Sequence, residues 1–135
     1  MSQEPAVLYV EDDPNSRRVM ELILKFRLKL PHITMFEESS DFQKRVQALT
    51  PRPDVVFLDI HMKPISGFEM LEILRKLERF ENVPVVALTA SVMNEEVAMM
   101  RNAGFDGCFA KPLNVDMFES SFANILDGKP VWEIV

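Results

Sequence analysis

Short β-branched apolar runs alternate along this chain with longer stretches whose apolar residues recur every three or four positions. The first run, Ala6-Val7-Leu8-Tyr9-Val10, is too short for a helix and stops at Glu11-Asp12-Asp13, so it reads as a strand, β1. Asp13 then fits a helix N-cap with Pro14 at the first helical position, and Val19, Leu22, Ile23, Phe26 and Leu30 fall on one face of a helix α1. Ile33 to Phe36 reads as β2. Asp41 to Leu49 reads as α2, with Phe42, Val46 and Leu49 as its stripe, and Pro51-Arg52-Pro53 ends it. Asp54 to Leu58 is almost wholly apolar, as expected of a strand β3 covered on both faces.

The alternation continues to the end of the chain. Gly67 precedes α3, where Phe68, Leu71, Leu74 and Leu77 share a side; Pro84 to Leu88 is β4; Asn94 opens α4 and Gly104 closes it. Cys108 to Ala110 is a short β5, and Asn114 caps α5, which carries Met117, Phe118, Phe122, Ile125 and Leu126. Five strands each followed by a helix imply right-handed crossovers and a parallel sheet clad on both faces. The expected class is α/β, doubly wound and five-stranded, in one domain over residues 5–128 with a tail at 129–135.

Composition narrows the function. A chain of 135 residues fits one core. Its 15 Lys+Arg against 21 Asp+Glu give a net charge of −6 with no basic cluster, which disfavours a nucleic-acid surface. The apolar runs fall far short of the ~20 residues needed to span a bilayer. A lone cysteine, Cys108, and a start without a basic stretch or apolar run point to a cytoplasmic protein. Cys108 itself reads as a small core-edge hydrophobe, the methionines as core filler, and Arg75-Lys76, Glu78, Arg79 and Glu81 as a solvated helix face.

In open α/β sheets the site lies beyond the carboxyl ends of the strands, where the strand order reverses. Those ends carry Glu11, Asp12 and Asp13 after β1, Asp59 after β3, Thr89 after β4, and Lys111-Pro112 after β5. Asp13 is explained by its cap. If β1 and β3 are neighbours, as in the order 2-1-3-4-5, Asp12 and Asp59 meet. A like-charge pair about 4 Å apart costs ~4 kcal/mol at an effective dielectric of 20, so the cluster calls for a cation. Mg²⁺ suits two carboxylates, one backbone carbonyl and water. Asp59 then has one oxygen for the metal and one free to attack phosphorus, while Lys111 and the Thr89 hydroxyl can neutralise phosphoryl oxygens. An acyl phosphate there could draw Thr89 and the β4–α4 loop inward as a two-state switch.

Val10-Glu11-Asp12-Asp13-Pro14, Leu58-Asp59-Ile60-His61-Met62 with Gly67 eight positions after Asp59, Leu88-Thr89-Ala90 and Lys111-Pro112 together resemble the receiver domain of two-component response regulators. The resemblance runs from about Pro5 to Gly128 in the family's order and spacing. It implies Asp59 as phosphoacceptor, Glu11 and Asp12 as the acidic pair, and a Mg²⁺ site built from them, Asp59 and the His61 carbonyl. It also implies Thr89 as the switch hydroxyl and Lys111 as the family's lysine. The implied donor is a phosphohistidine on a sensor histidine kinase or phosphotransfer protein, and the implied output is binding of an effector protein.

Three departures stand out. Lys63 occupies the place where the family usually has Pro, which adds a cation to the β3–α3 loop. Cys108 replaces the usual aromatic three positions before the lysine. His61, two past Asp59, is an uncommon choice that could tune the lifetime of the acyl phosphate.

Three rivals share parts of this pattern. An aspartyl-phosphate phosphohydrolase would want a second Asp where His61 stands. An FMN carrier would want a Ser/Thr/Gly-rich loop in place of Glu11-Asp12-Asp13. A receiver kept only as an unphosphorylated scaffold would not need Asp12, Asp59, Thr89 and Lys111 together. The tail, with the only Trp at 132, either folds back on the domain or serves as a docking strand, and the α4–β5–α5 face and the tail are the two candidate surfaces for a homodimer.

Overall fold

A computed structural model describes residues 4–133. The elements are β1 (Val7–Val10), α1 (Pro14–Glu21), β2 (Ile33–Phe36), α2 (Phe42–Gln47), β3 (Val55–Asp59), α3 (Gly67–Lys76), β4 (Val85–Thr89), α4 (Asn94–Ala103), β5 (Gly107–Ala110), α5 (Val115–Leu126) and β6 (Val131–Glu133). All strand pairs are parallel, in the order β2-β1-β3-β4-β5-β6. The reversal of strand order therefore falls between β1 and β3, as expected, and the sheet has six strands instead of five.

Period-two alternation splits the strand residues between two cores. Leu8, Val10, Val56, Leu58, Ala87 and Cys108 face α2, α3 and α4. Val7, Tyr9, Phe57, Val86, Leu88 and Phe109 face α1 and α5, where Phe57, Phe109 and Phe118 pack ring to ring with centroids 5.2 to 6.2 Å apart. Both faces are covered, which is why the inner strands β1, β3 and β4 are buried along their whole length.

The helix starts follow their caps. The Asp13 carboxylate accepts from the Ser16 amide, holding its own pKa below the usual carboxylate value through the Ser16 side-chain and backbone hydrogen bonds. Ser66 and Glu69 form a reciprocal capping box at α3, and the Asn114 side chain accepts from the Met117 amide at α5. Gly104, at φ 102°, closes α4 in the left-handed conformation.

Several expectations are corrected. Beyond Glu21 the first helix widens into a π-helical stretch, Leu22–Arg27, with Leu28 donating to the Ile23 carbonyl. That widening shifts the buried face to Ile23 and Leu24, and leaves Leu22 and Phe26 exposed at 51% and 61%. Met93, Met99 and Met117 are likewise exposed and are not core filler. Arg75 and Arg79 are more than a solvated face: Arg75 donates to the Val83 carbonyl and pairs with Asp106, and Arg79 donates to the Gln47 and Leu49 carbonyls.

The tail folds back as β6 beside β5, with Trp132 packed on the α2–α4 side of the core. Three residues were too few to signal a strand by periodicity. Ile134 and Val135, the end of that tail, lie outside the described residues.

Candidate functional site

Strand register assembles the site. Val10 pairs with Leu58, so Glu11 and Asp12, just past β1, come alongside Asp59, the last residue of β3. One carboxylate oxygen from each of Glu11, Asp12 and Asp59 lies within 4.8 Å of the others. Gly67 permits this arrangement, because a Cβ there would sit 2.8 Å from the Asp59 carbonyl oxygen and from Ile60 Cα. Its amide donates to the Ile60 carbonyl, seating the start of α3 directly on the end of β3.

The three acids differ in setting. Glu11 is fully buried: its Oε1 accepts from the Tyr9 hydroxyl at 2.8 Å and meets Lys111 Nζ at 2.6 Å, and its Oε2 accepts from the Asp13 amide at 3.2 Å. Asp12 is exposed. Asp59 is 6% exposed; its Oδ1 accepts from the His61 amide at 3.1 Å, and its Oδ2 lies 3.5 Å from Lys111 Nζ. Burial pulls the Lys111 pKa down, but the hydrogen bond to Glu11 and the charges of Asp59 and Glu11 outweigh it and hold the ammonium above its ordinary value. Burial, followed by the Glu11 charge, drives the Tyr9 hydroxyl far up, so it serves only as a donor to Glu11.

Thr89 ends β4, where it pairs in register with Ala110, and its carbonyl accepts from the Lys111 amide at 2.9 Å. Its hydroxyl is turned to its own loop: it donates to the Ser91 carbonyl at 3.1 Å and accepts from the Ser91 amide at 3.0 Å. Ser91 Oγ in turn donates to Glu96 in the first turn of α4 at 2.9 Å. The His61 ring, largely exposed, lies 3.9 Å from Glu96 across the mouth of the site. Lys63, two residues further along the chain, is exposed.

Every residue named from the sequence thus lies on one end of the sheet. Sequence reasoning missed Tyr9, although it precedes Glu11 by two positions on the same strand face. It also missed Ser91 and Glu96, which are brought in by the β4–α4 loop and carry no pattern of their own.

The donor set is oxygen-only, and its three carboxylates face one nearby ammonium. It fits a hard divalent ion such as Mg²⁺.

A doubly wound sheet with an acidic cluster, a threonine and a lysine at its switch point defines a class, and the comparisons agree with it. The response regulator receiver domain family matches residues 7–122, and the chain belongs to that family. Among curated relatives it is 32% identical over 128 residues to hybrid signal transduction histidine kinase D of Dictyostelium discoideum, covering 93% of this chain and 8% of that protein. It is 28% identical over 135 residues to response regulator Rre1 of Synechocystis, covering 93% of this chain and 53% of that one. The chain therefore spans at most about half the length of these relatives.

Its fold matches chemotaxis protein CheY4 of Vibrio cholerae with a TM-score of 0.80 at 20% identity, over 91% of this chain and 99% of that one. It matches the receiver domain of sensor histidine kinase PA1611 of Pseudomonas aeruginosa with a TM-score of 0.80 at 21% identity, over 93% and 99%. The latter structure has a magnesium ion coordinated in its active-site cleft. Among the described residues no helix is long and apolar enough to cross a membrane.

Proposed function

We propose that this receiver domain takes a phosphoryl group onto Asp59 from a phosphohistidine of a sensor histidine kinase or phosphotransfer protein, and thereby changes its binding of an effector protein. The observation that carries the reading is the setting of Asp59. One oxygen is held by the His61 amide and the other faces the Lys111 ammonium at 3.5 Å, at the floor of an acidic cluster.

In the step itself Asp59 Oδ2 forms the new O–P bond while the P–N bond of the donor breaks, and its electron pair leaves with the imidazole. Lys111 neutralises the transferred group, with Glu11 and Tyr9 fixing its position. The Thr89 hydroxyl can leave Ser91 and donate to a phosphoryl oxygen. Asp12, Asp59 and the His61 carbonyl, with Glu11 behind them, would hold a Mg²⁺ ion, whose charge would offset the carboxylates and the phosphoryl oxygens.

The domain catalyses its own phosphorylation and dephosphorylation and nothing further.

The test is the intact mass after incubation with Mg²⁺ and acetyl phosphate. A single Mg²⁺-dependent phosphoryl adduct, absent in Asp59→Asn, supports the reading. No adduct in the native chain refutes it and favours a silent scaffold.

A further inference from the structure

Strand β6 is tied to three elements at once. It pairs with the edge of β5, Gly107 to Val131, Cys108 to Trp132 and Phe109 to Glu133. A Cβ on Gly107 would run into the Val131 backbone, so only glycine lets β6 come this close. Trp132 packs on the core, with the Arg101 guanidinium of α4 stacked 4.1 Å from its ring centroid. Ser121 of α5 hydrogen-bonds to Glu133. The tail thus bridges α4, β5 and α5, and Glu133 reaches a pocket that also contains Lys111 and Pro112 of the site loop.

The strap is also connected to the phosphoacceptor end by an unbroken run of contacts. Thr89 holds Ser91, Ser91 holds Glu96 in the first turn of α4, and the last turn of α4 carries Arg101 on Trp132. α4, ten residues long, therefore carries a contact of the site loop on its first turn and a contact of the strap on its last, and a rigid shift of the helix would alter both together. β6 is the shortest strand and lies at the edge of the sheet, paired on one side only, so it can detach without breaking any other strand pair.

We propose that β6 is a releasable strap: loading of Asp59 withdraws Thr89 from Ser91, shifts Arg101 off Trp132, and frees β6 from the edge of β5. This rests on the phosphoacceptor reading of Asp59. Coupling is reciprocal, so loosening the strap also favours the loaded site. Cys108 reports the event. It is fully buried, stands beside Trp132 in register, and is the only thiol of the chain.

The experiment measures the rate at which N-ethylmaleimide labels Cys108 in the full chain, by intact mass, with Mg²⁺ alone and with Mg²⁺ plus beryllofluoride, a phosphoryl mimic. Site occupancy is followed separately by ¹⁹F NMR. Labelling about tenfold faster in the loaded chain supports the strap. Loading stabilises the folded state, so labelling through global unfolding would instead become slower. Arg101→Ala should raise the rate without loading. An unchanged or slower rate with beryllofluoride demonstrably bound overturns the strap and leaves the phosphoacceptor reading intact. Absence of bound beryllofluoride overturns that reading and the coupling with it.

Discussion

Replacing Asp59 by Asn should make the metal-free domain more stable, although it removes the proposed reactive group. Three carboxylates share the site with one ammonium. At an effective dielectric of 20 and the 4.8 Å that bounds their separations, each carboxylate pair costs about 3.5 kcal/mol, and Asp59 takes part in two such pairs. Against this stands its attraction to Lys111 at 3.5 Å, about 5 kcal/mol on the same scale. The balance of about 2 kcal/mol favours the neutral amide; solvent around exposed Asp12 lowers it, and the relieved desolvation of Asp59 raises it again. The amide keeps an oxygen for the His61 N–H, so little packing is lost.

Urea unfolding in EDTA should therefore show Asp59→Asn more stable than the native chain by about 1–2 kcal/mol. Millimolar Mg²⁺ should stabilise the native chain more than the variant, narrowing or reversing the gap. A variant that is less stable in EDTA, or that gains as much from Mg²⁺ as the native chain, would refute the electrostatic account of the site.

Lys111→Met should have the opposite effect, leaving fully buried Glu11 without its cation. The loss should be about 2–4 kcal/mol, less than for a wholly buried pair because Tyr9 and the Asp13 amide still hold the carboxylate. The folded-state pKa of Lys111 lies above its unfolded value of about 10.4, so its contribution is complete below that pH and fades as pH rises through the folded value. The stability gap between the native chain and Lys111→Met should stay level from about pH 7 to 10 and shrink above, as urea titrations at each pH would show. Gly107→Ala should displace β6 at a cost of about 1–3 kcal/mol, and a variant with unchanged urea midpoint and unchanged Trp132 fluorescence would contradict the close approach at that residue.

The class of fold and the site were readable from the sequence for the same reason. A parallel sheet is buried on both faces, so its strands stand out as short apolar runs, and its site must gather at their carboxyl ends, where Asp12, Asp59, Thr89 and Lys111 interrupt those runs. The rest was hidden by effects that periodicity does not encode. The π-helical stretch at Leu22–Arg27 turns Leu22 and Phe26 outward, although their spacing matches a buried stripe. Ser91 and Glu96 join the site only through loop geometry, and Arg75 and Arg79 hold carbonyls of other segments, Arg75 pairing with Asp106 as well. In the tail, Trp132 marked an unusual segment, but the feature that fixes its place is the absent side chain of Gly107, twenty-five positions earlier in the chain.

The central claim is that Asp59, among the three clustered acids, receives the phosphoryl group. Borohydride reduction of the acetyl phosphate-treated chain converts an aspartyl phosphate to homoserine, and peptide sequencing then locates it. The account predicts homoserine at position 59 alone, formed only when Mg²⁺ was present. Homoserine at position 12, 5-hydroxynorvaline (the reduction product of a glutamyl phosphate) at position 11, or no homoserine at 59 in a chain carrying the phosphoryl adduct, would contradict it.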